Sequence, residues 1–303
     1  MTVLGCEIPN SGPTLGRISL TRMVQEAEEA GAATLWVSDH LLMVEGARSR
    51  YPYSPDGSIP WEMRTDFYEA LACCAWMLAR TERAEVGTSV LVLPQRNPLE
   101  VAKVAATLDR LSGGRFLLGV GAGWLEEEVE ALGFRYKTRG RRTDEAIQVL
   151  RAGWTGEPDA FQGREVQVPE GVLSYPVPTR AEGVPVLIGG MTEAALQRAA
   201  RLGDGWIAVA GTDVTGEDDL EAALARLSLL REKSERQALS FRRIAKLQAA
   251  GSRAAEAELP TAARRLALLG FDDVIVSPDW SSVKRARELL ASTLEAVDGA
   301  SQG

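Results

Sequence analysis

The sequence predicts an α/β fold of the (β/α)8 barrel type, one domain over residues 1–303 with insertions at the C-terminal mouth of the strands. Three observations predict it: the stretch 84–124 reads as strand, helix, strand; eight strand-then-helix units follow one another along the chain; and no shift in composition divides the chain into halves. In the 84–124 stretch, an apolar run reaches Thr88-Ser89-Val90-Leu91 and a Pro94/Pro98 loop. Val101, Val104, Leu108 and Leu111 then recur at helical spacing, which predicts one buried stripe. Gly113-Gly114 closes that helix, and Arg115 to Val120 is an apolar run bounded by glycines, as expected of a strand covered on both faces. The crossover is expected to be right-handed, and both strands finish in small or polar residues, where α/β proteins place their ligands.

The other elements follow in order. Residues 2–8 form a first short strand, and Ser19 caps a helix with Leu20, Met23, Val24 and Ala27 on its apolar face and Gly31 at its end. Leu35-Trp36-Val37 is a second buried strand that runs straight into Ser38-Asp39-His40. Residues 41–65 form a long loop with Tyr51, Tyr53 and Trp61 among prolines and glycines, and a loop of that length in a compact domain is expected to be a lid. A helix over 66–80 precedes the βαβ stretch; an acidic helix over 125–132, a longer one over 143–152 and a Gly- and Pro-rich, hairpin-like insertion at 154–183 come after it. Strand 184–190, a helix from its cap Thr192 to Gly203, strand 205–210 and an amphipathic helix over 218–233 come next. Strand 243–249, helix 259–269, strand 273–277 and a closing helix with Val283, Ala286, Leu290, Leu294 and Val297 on one face complete the series. An open doubly wound sheet would want GxGxxG after an early strand. Here Gly119, Gly121 and Gly123 lie mid-chain, with Trp124 where a last glycine would fall.

Composition narrows the function. A net charge of −8 argues against nucleic acid or an anionic membrane as the main partner. Cys6, Cys73 and Cys74 make no even disulfide framework and read as buried reduced thiols of a cytoplasmic protein. The start carries no basic-then-apolar leader, and the apolar stretch near 70–79 is too short to cross a bilayer. With a single histidine and scattered thiols, no zinc site can be assembled. There is no GxSxG elbow and no GxxxxGK[ST] loop. Lys246 is the one strand lysine available for Schiff-base chemistry, and it reads as strand-edge or solvent-facing. The run Glu126-Glu127-Glu128 reads as a solvated helix start.

In a barrel, chemistry sits where strands end. His40 follows Asp39 at such an end; it is either a general acid/base or half of an Asp/His pair tying the strand to its loop. Ser89-Val90 ends the third strand, and Gly121, Ala122 and Gly123 clear side chains from the fourth, for close packing or for a flat ring. Gly189-Gly190-Met191-Thr192 joins a strand to a helix N-terminus, which is either a tight turn or a seat for phosphate.

On these residues the chain resembles, over nearly its whole length, the luciferase-like monooxygenase superfamily and, within it, the coenzyme F420-dependent oxidoreductases. The likeness is carried by Trp36-Val37-Ser38-Asp39-His40, Gly87-Thr88-Ser89-Val90-Leu91, the stretch from Ala106 to Arg115, Gly119-Val120-Gly121-Ala122-Gly123, and Ile188-Gly189-Gly190, which are specific together and not singly. The resemblance implies a flavin-like cofactor across the C-terminal mouth, coenzyme F420 with FMN as the alternative. By that similarity Asp39 touches the ring region, Ser89-Val90 is a non-prolyl cis peptide pressing a bulge against the ring, and Ala122 and Gly123 line the ring or the side-chain path. Gly189, Gly190, Met191 and Thr192 hold the phosphate. His40 matches the proton acceptor of the branch's sugar-phosphate dehydrogenases, yet Trp124 stands where they place an acidic residue, which points away from sugar phosphates. The resulting expectation is hydride transfer between the deazaflavin and a small organic substrate, with His40 as proton donor or acceptor. An FMN-dependent monooxygenase using reduced flavin and oxygen is the alternative, and a flavin-holding protein without turnover is the third reading. The resemblance also implies a homodimer, and a reductase that supplies reduced cofactor.

Overall fold

The computed structural model describes residues 1–54, 56–211, 216–248 and 253–300; Ala249, the last residue of the strand expected over 243–249, lies outside them. Apolar runs buried on both faces become the parallel strands of a closed barrel. In chain order these are β1 (Val3–Glu7), β2 (Thr34–Val37), β3 (Glu85–Thr88) with its continuation β4 (Leu91–Val92), and β5 (Phe116–Gly121). Outside the barrel, β6 (Phe161–Gln162) and β7 (Gln167–Val168) pair antiparallel. The barrel resumes with β8 (Val186–Gly189), β9 (Gly205–Gly211), β10 (Arg242–Gln248) and β11 (Asp273–Val276). Each strand pairs with its neighbours in the order β3-β2-β1-β11-β10-β9-β8-β5, and a β3–β5 pairing closes the ring.

Alternation along the strands sorts side chains into two layers. Trp36, Leu117, Leu187, Ile207, Ile244 and Ile275 fill the barrel interior. The other parity packs outward against the helices, as Leu35, Val86, Leu118, Ile188, Ala245 and Val274 do. β3 and β5 approach so closely that a Cβ on Gly119 would lie 1.9 Å from the Thr88 carbonyl oxygen.

The helices between strands begin and end on the residues that physical chemistry favours. They are α1 (Leu20–Glu29), α2 (Ala70–Leu78), α3 (Pro98–Ser112), α4 (Glu126–Ala131), α5 (Arg139–Gly153), α6 (Glu193–Leu202), α7 (Glu217–Glu232), α8 (Arg253–Ala257), α9 (Leu259–Leu268) and α10 (Val283–Ala300). Ser19 caps α1 and Asn97 caps α3 by accepting backbone N–H bonds, and Gly113 ends α3 in the left-handed region at φ 69°. α2 starts later than the sequence suggests because the Glu69 carboxylate takes the Ala72 N–H at 2.7 Å and acts as its cap. The expected α3 stripe is corrected at its end: Leu111 is 82% exposed. Ala102, Ala105, Ala106 and Asp109 turn inward with Val101 and Leu108, and Leu111 lies about 140° round the helix from the centre of that face. Small residues let the helix axis sit close to the strands, so the buried stripe follows them.

Cys6, Cys73 and Cys74 are buried and form no disulfide. Among the described residues, no helix is long and apolar enough to cross a membrane.

Candidate active site

Each barrel strand delivers its last side chains to the C-terminal mouth. At the ends of β1, β2, β3, β10 and β11, Glu7, Ser38, Ser89, Lys246 and Ser277 meet in one hydrogen-bonded group. Glu7 forms an ion pair with Lys246 and accepts from Ser38 Oγ at 2.8 Å and Ser277 Oγ at 2.5 Å. Lys246 also donates to Ser38 Oγ at 3.2 Å and to both the carbonyl and hydroxyl oxygens of Ser89 at 3.3 Å. Burial alone would raise the Glu7 carboxyl, but Lys246 and the serine hydroxyls outweigh it and hold it below its ordinary value.

The edge or solvent-facing placement expected of Lys246 is therefore overturned. The residue is 8% exposed, because a closed barrel has no edge and β10 parity puts Lys246 on the same interior side as Ile244. Lys246→Met is expected to lower stability by roughly 3 kcal/mol by leaving Glu7 without its cation, and Glu7→Gln in the same chain to restore most of it. Urea titrations of the single and double variants would show this; equal losses in both would contradict it.

Ser89–Val90 is a cis peptide between non-proline residues, as the resemblance implied. Val90 packs against the interior layer of the barrel. The flanking strand ends are stripped to make room: a Cβ on Gly121 or Gly189 would meet Val90 at 2.5 or 2.6 Å. The result is a small apolar floor of Val90 and glycine backbone. Asp39 stands behind β4, where it accepts the Val92 N–H at 2.9 Å and a charged hydrogen bond from Arg96 at 2.7 Å. Burial raises its carboxyl against the pull of Arg96, which also pairs with Glu69.

His40, just past β2, is bound from the helix that follows β5, one strand removed round the ring. Its Nδ1 lies 2.7 Å from Glu128 Oε2 on α4, and Nε2 has no hydrogen-bond partner among the described residues. A carboxylate only accepts, so the pair places the proton on Nδ1 and leaves Nε2 as an acceptor in the neutral ring. Glu128 takes three further donors: Leu41 N at 2.6 Å, Leu42 N at 3.2 Å and Gln95 Nε2 at 3.1 Å. Burial would raise its carboxyl, but His40 and the two backbone N–H groups hold it below the usual range.

This corrects the solvated reading of the acidic run, since Glu128 is 1% exposed. The signal was in the sequence: Leu125, Glu128 and Val129 share one helix face, and both apolar members are buried. Glu127 meanwhile accepts from Arg48 N at 2.7 Å and from Ser49 Oγ at 2.7 Å. Two of the three acids thus fasten the 41–65 loop.

Trp61 of that loop, Phe67 just after it and Trp124 after β5 bring rings to His40. Trp61, Phe67 and Trp124 lie 6.1, 5.4 and 5.6 Å from it, centroid to centroid, and Tyr51 meets Trp61 at 5.1 Å and Trp124 at 5.3 Å. The Tyr51 hydroxyl reaches Gln248 at the end of β10 at 3.4 Å. The result is an aromatic box with one imidazole in its wall. Phe67 carried no mark in the sequence beyond being aromatic, and Trp124 was marked only by its place after the glycine stretch.

Across the barrel, Thr192 caps α6 by accepting from Ala195 N, and Gly190 adopts φ 120° just before it. The Trp206 indole N–H holds the Gly190 carbonyl at 2.8 Å. A groove beside this helix start is lined by Met191, Val209, Asp219 and Arg226 among others. Ala122 and Gly123, directly before Trp124 of the box, are partly exposed, and the Gly123 carbonyl accepts from Arg139.

A family model described as luciferase-like monooxygenase matches residues 9–268. An uncharacterised protein of Mycobacterium tuberculosis is 36% identical over 212 residues, covering 70% of this chain and 71% of its own length. An F420-dependent glucose-6-phosphate dehydrogenase of Amycolatopsis mediterranei is 33% identical over 209 residues, 66% of this chain and 56% of that protein. The solved structure of an F420-dependent secondary alcohol dehydrogenase with an F420–acetone adduct aligns at a TM-score of 0.71 and 18% identity, over 98% of this chain and 99% of that one, a likeness of fold.

Proposed function

Because the chain belongs to the luciferase-like monooxygenase family, we propose that it is an oxidoreductase that moves a hydride between deazaflavin coenzyme F420 and a carbon of a small organic molecule, with His40 handling the accompanying proton. The observation that carries this is the His40–Glu128 pair in the wall of an aromatic box beside the Val90 floor. The named activity of the Amycolatopsis relative supports the choice of F420.

The residues fit such a cofactor. Val90, with Gly121 and Gly189 cleared around it, offers a flat surface for a ring, and Ala122 and Gly123 leave its edge free. Asp39 braces the floor through Val92. Gly189, Gly190, Met191 and Thr192 precede the α6 N-terminus, where free N–H groups and the helix dipole favour a phosphate. When bound, F420 supplies a ring carbon that accepts or gives a hydride. His40 Nε2 takes a proton from a substrate hydroxyl when the substrate is oxidised, and Glu128 stabilises the imidazolium that forms. In the opposite direction the same imidazolium donates. The 41–65 loop, fastened by Glu127 and Glu128, acts as a lid that keeps water from the box.

Parallel titration of the purified protein with F420 and with FMN tests the proposal through cofactor fluorescence and absorbance. Tight F420 binding and weak FMN binding are expected. The reverse would overturn the F420 assignment in favour of an oxygen-dependent enzyme served by a flavin reductase.

A homodimer is proposed as well, built on the outer face of α2. Ala72, Ala75, Trp76 and Ala79 are all exposed there, and Trp76 is 48% exposed. Trp76→Glu is expected to convert a dimer to monomers in analytical ultracentrifugation; a monomeric parent protein would refute the dimer.

A further inference from the structure

One polar atom in the aromatic box is unaccounted for. The Trp61 Nε1–H is buried without a hydrogen-bond partner, in a ring that meets Tyr51 and Trp124 edge-on and lies near His40. A buried donor with no acceptor is destabilising, and such groups are rare in native proteins outside places where a ligand or another function completes them.

The charges nearby add a second constraint. Of the cations at the mouth, Arg96 is engaged by Asp39 and Glu69, and Lys246 by Glu7. Arg139 lies over the Tyr136 ring and donates to the Gly123 carbonyl. Around His40 the walls are Tyr51, Trp61, Phe67 and Trp124, and the nearest ionised side chain is the carboxylate of Glu128. Among the described residues the walls of the box offer a phosphate or carboxylate no cation beyond His40, which Glu128 already balances, and desolvating an unpaired anion there would be strongly unfavourable.

We infer that the box binds an uncharged, ring-bearing molecule through a single acceptor oxygen, which takes the Trp61 indole N–H while the ring lies among the aromatic walls. This rests on the hydride-transfer reading for its chemistry, and the binding itself is tested separately.

The test is isothermal titration of the full-length protein with three probes that share one ring: acetophenone, ethylbenzene and benzoate. Acetophenone is expected to bind roughly fivefold more tightly than ethylbenzene, the value of one neutral hydrogen bond. Benzoate, which brings a charge, is expected to bind at least about tenfold more weakly than acetophenone. In Trp61→Phe, which keeps an aromatic ring and removes the donor, the gap between acetophenone and ethylbenzene should close. The inference is overturned if benzoate matches acetophenone, if the gap persists in Trp61→Phe, or if none of the probes binds. Should Trp61→Phe not fold, the ranking of the three probes on the parent protein decides. The F420 titration is read independently: its failure removes the hydride reading and leaves the probe ranking standing, while a preference for benzoate removes the substrate class and leaves hydride transfer standing.

Discussion

His40→Ala is expected to lower turnover by roughly 10²–10⁴-fold, the usual contribution of a positioned acid or base, while F420 affinity stays within about threefold of the parent value. Affinity should hold because the Val90 floor and the α6 N-terminus, where the cofactor is proposed to rest, involve none of the imidazole's contacts. Stopped-flow reduction or oxidation of F420, alongside a fluorescence titration of the same variant, separates the two quantities. An unchanged rate would remove His40 from the mechanism. His40→Asn, which restores a polar group without a titrating proton, should remain as slow as the alanine variant.

Glu128→Ala is expected to lower stability by about 3–5 kcal/mol, the range for removing one member of a buried, hydrogen-bonded pair. The change would leave His40 Nδ1, the Leu41 and Leu42 N–H groups and Gln95 Nε2 without their acceptor in a buried place. Turnover should fall as well, because the imidazole loses both its fixed tautomer and the anion that stabilises its protonated form. Glu128→Gln, which keeps an acceptor, should lie between. The pH dependence has a definite sign. The Glu128 carboxyl is held below its unfolded value of 4.5, so its contribution is complete above that value and is lost as pH falls through the folded pKa. The stability gap between the parent protein and Glu128→Gln, measured by urea unfolding, should therefore be widest near neutral pH and shrink under acid. A gap that does not change with pH would place the effect elsewhere.

Much of the fold was legible in the sequence, and the reason is local. The eight apolar runs, the Ser19 and Thr192 positions at helix starts and the Gly113 stop each depend on residues within one turn or strand of themselves. The proposed cofactor residues were legible for a related reason. Glycine stretches and strand ends are marked by the residue types they need, and Val90 with its cis peptide emerged through the likeness of short motifs.

What the sequence by itself determined, then, is the order and type of the elements and which strand ends carry polar groups. Tertiary structure decided which of those polar groups are buried and whom they meet. Lys246 turned inward because ring closure removed the edge it had been given, and strand parity then pointed it at Glu7, more than two hundred residues away in the chain. Glu128 turned inward because α4 packs the Leu125–Val129 face down, which carries the carboxylate with it to His40. The aromatic box needed the 41–65 loop to fold back over the mouth, and Trp61, Phe67 and Trp124 meet only there. Burial of a charge depends on partners that are distant in sequence and close in space, and so it is fixed when the barrel closes.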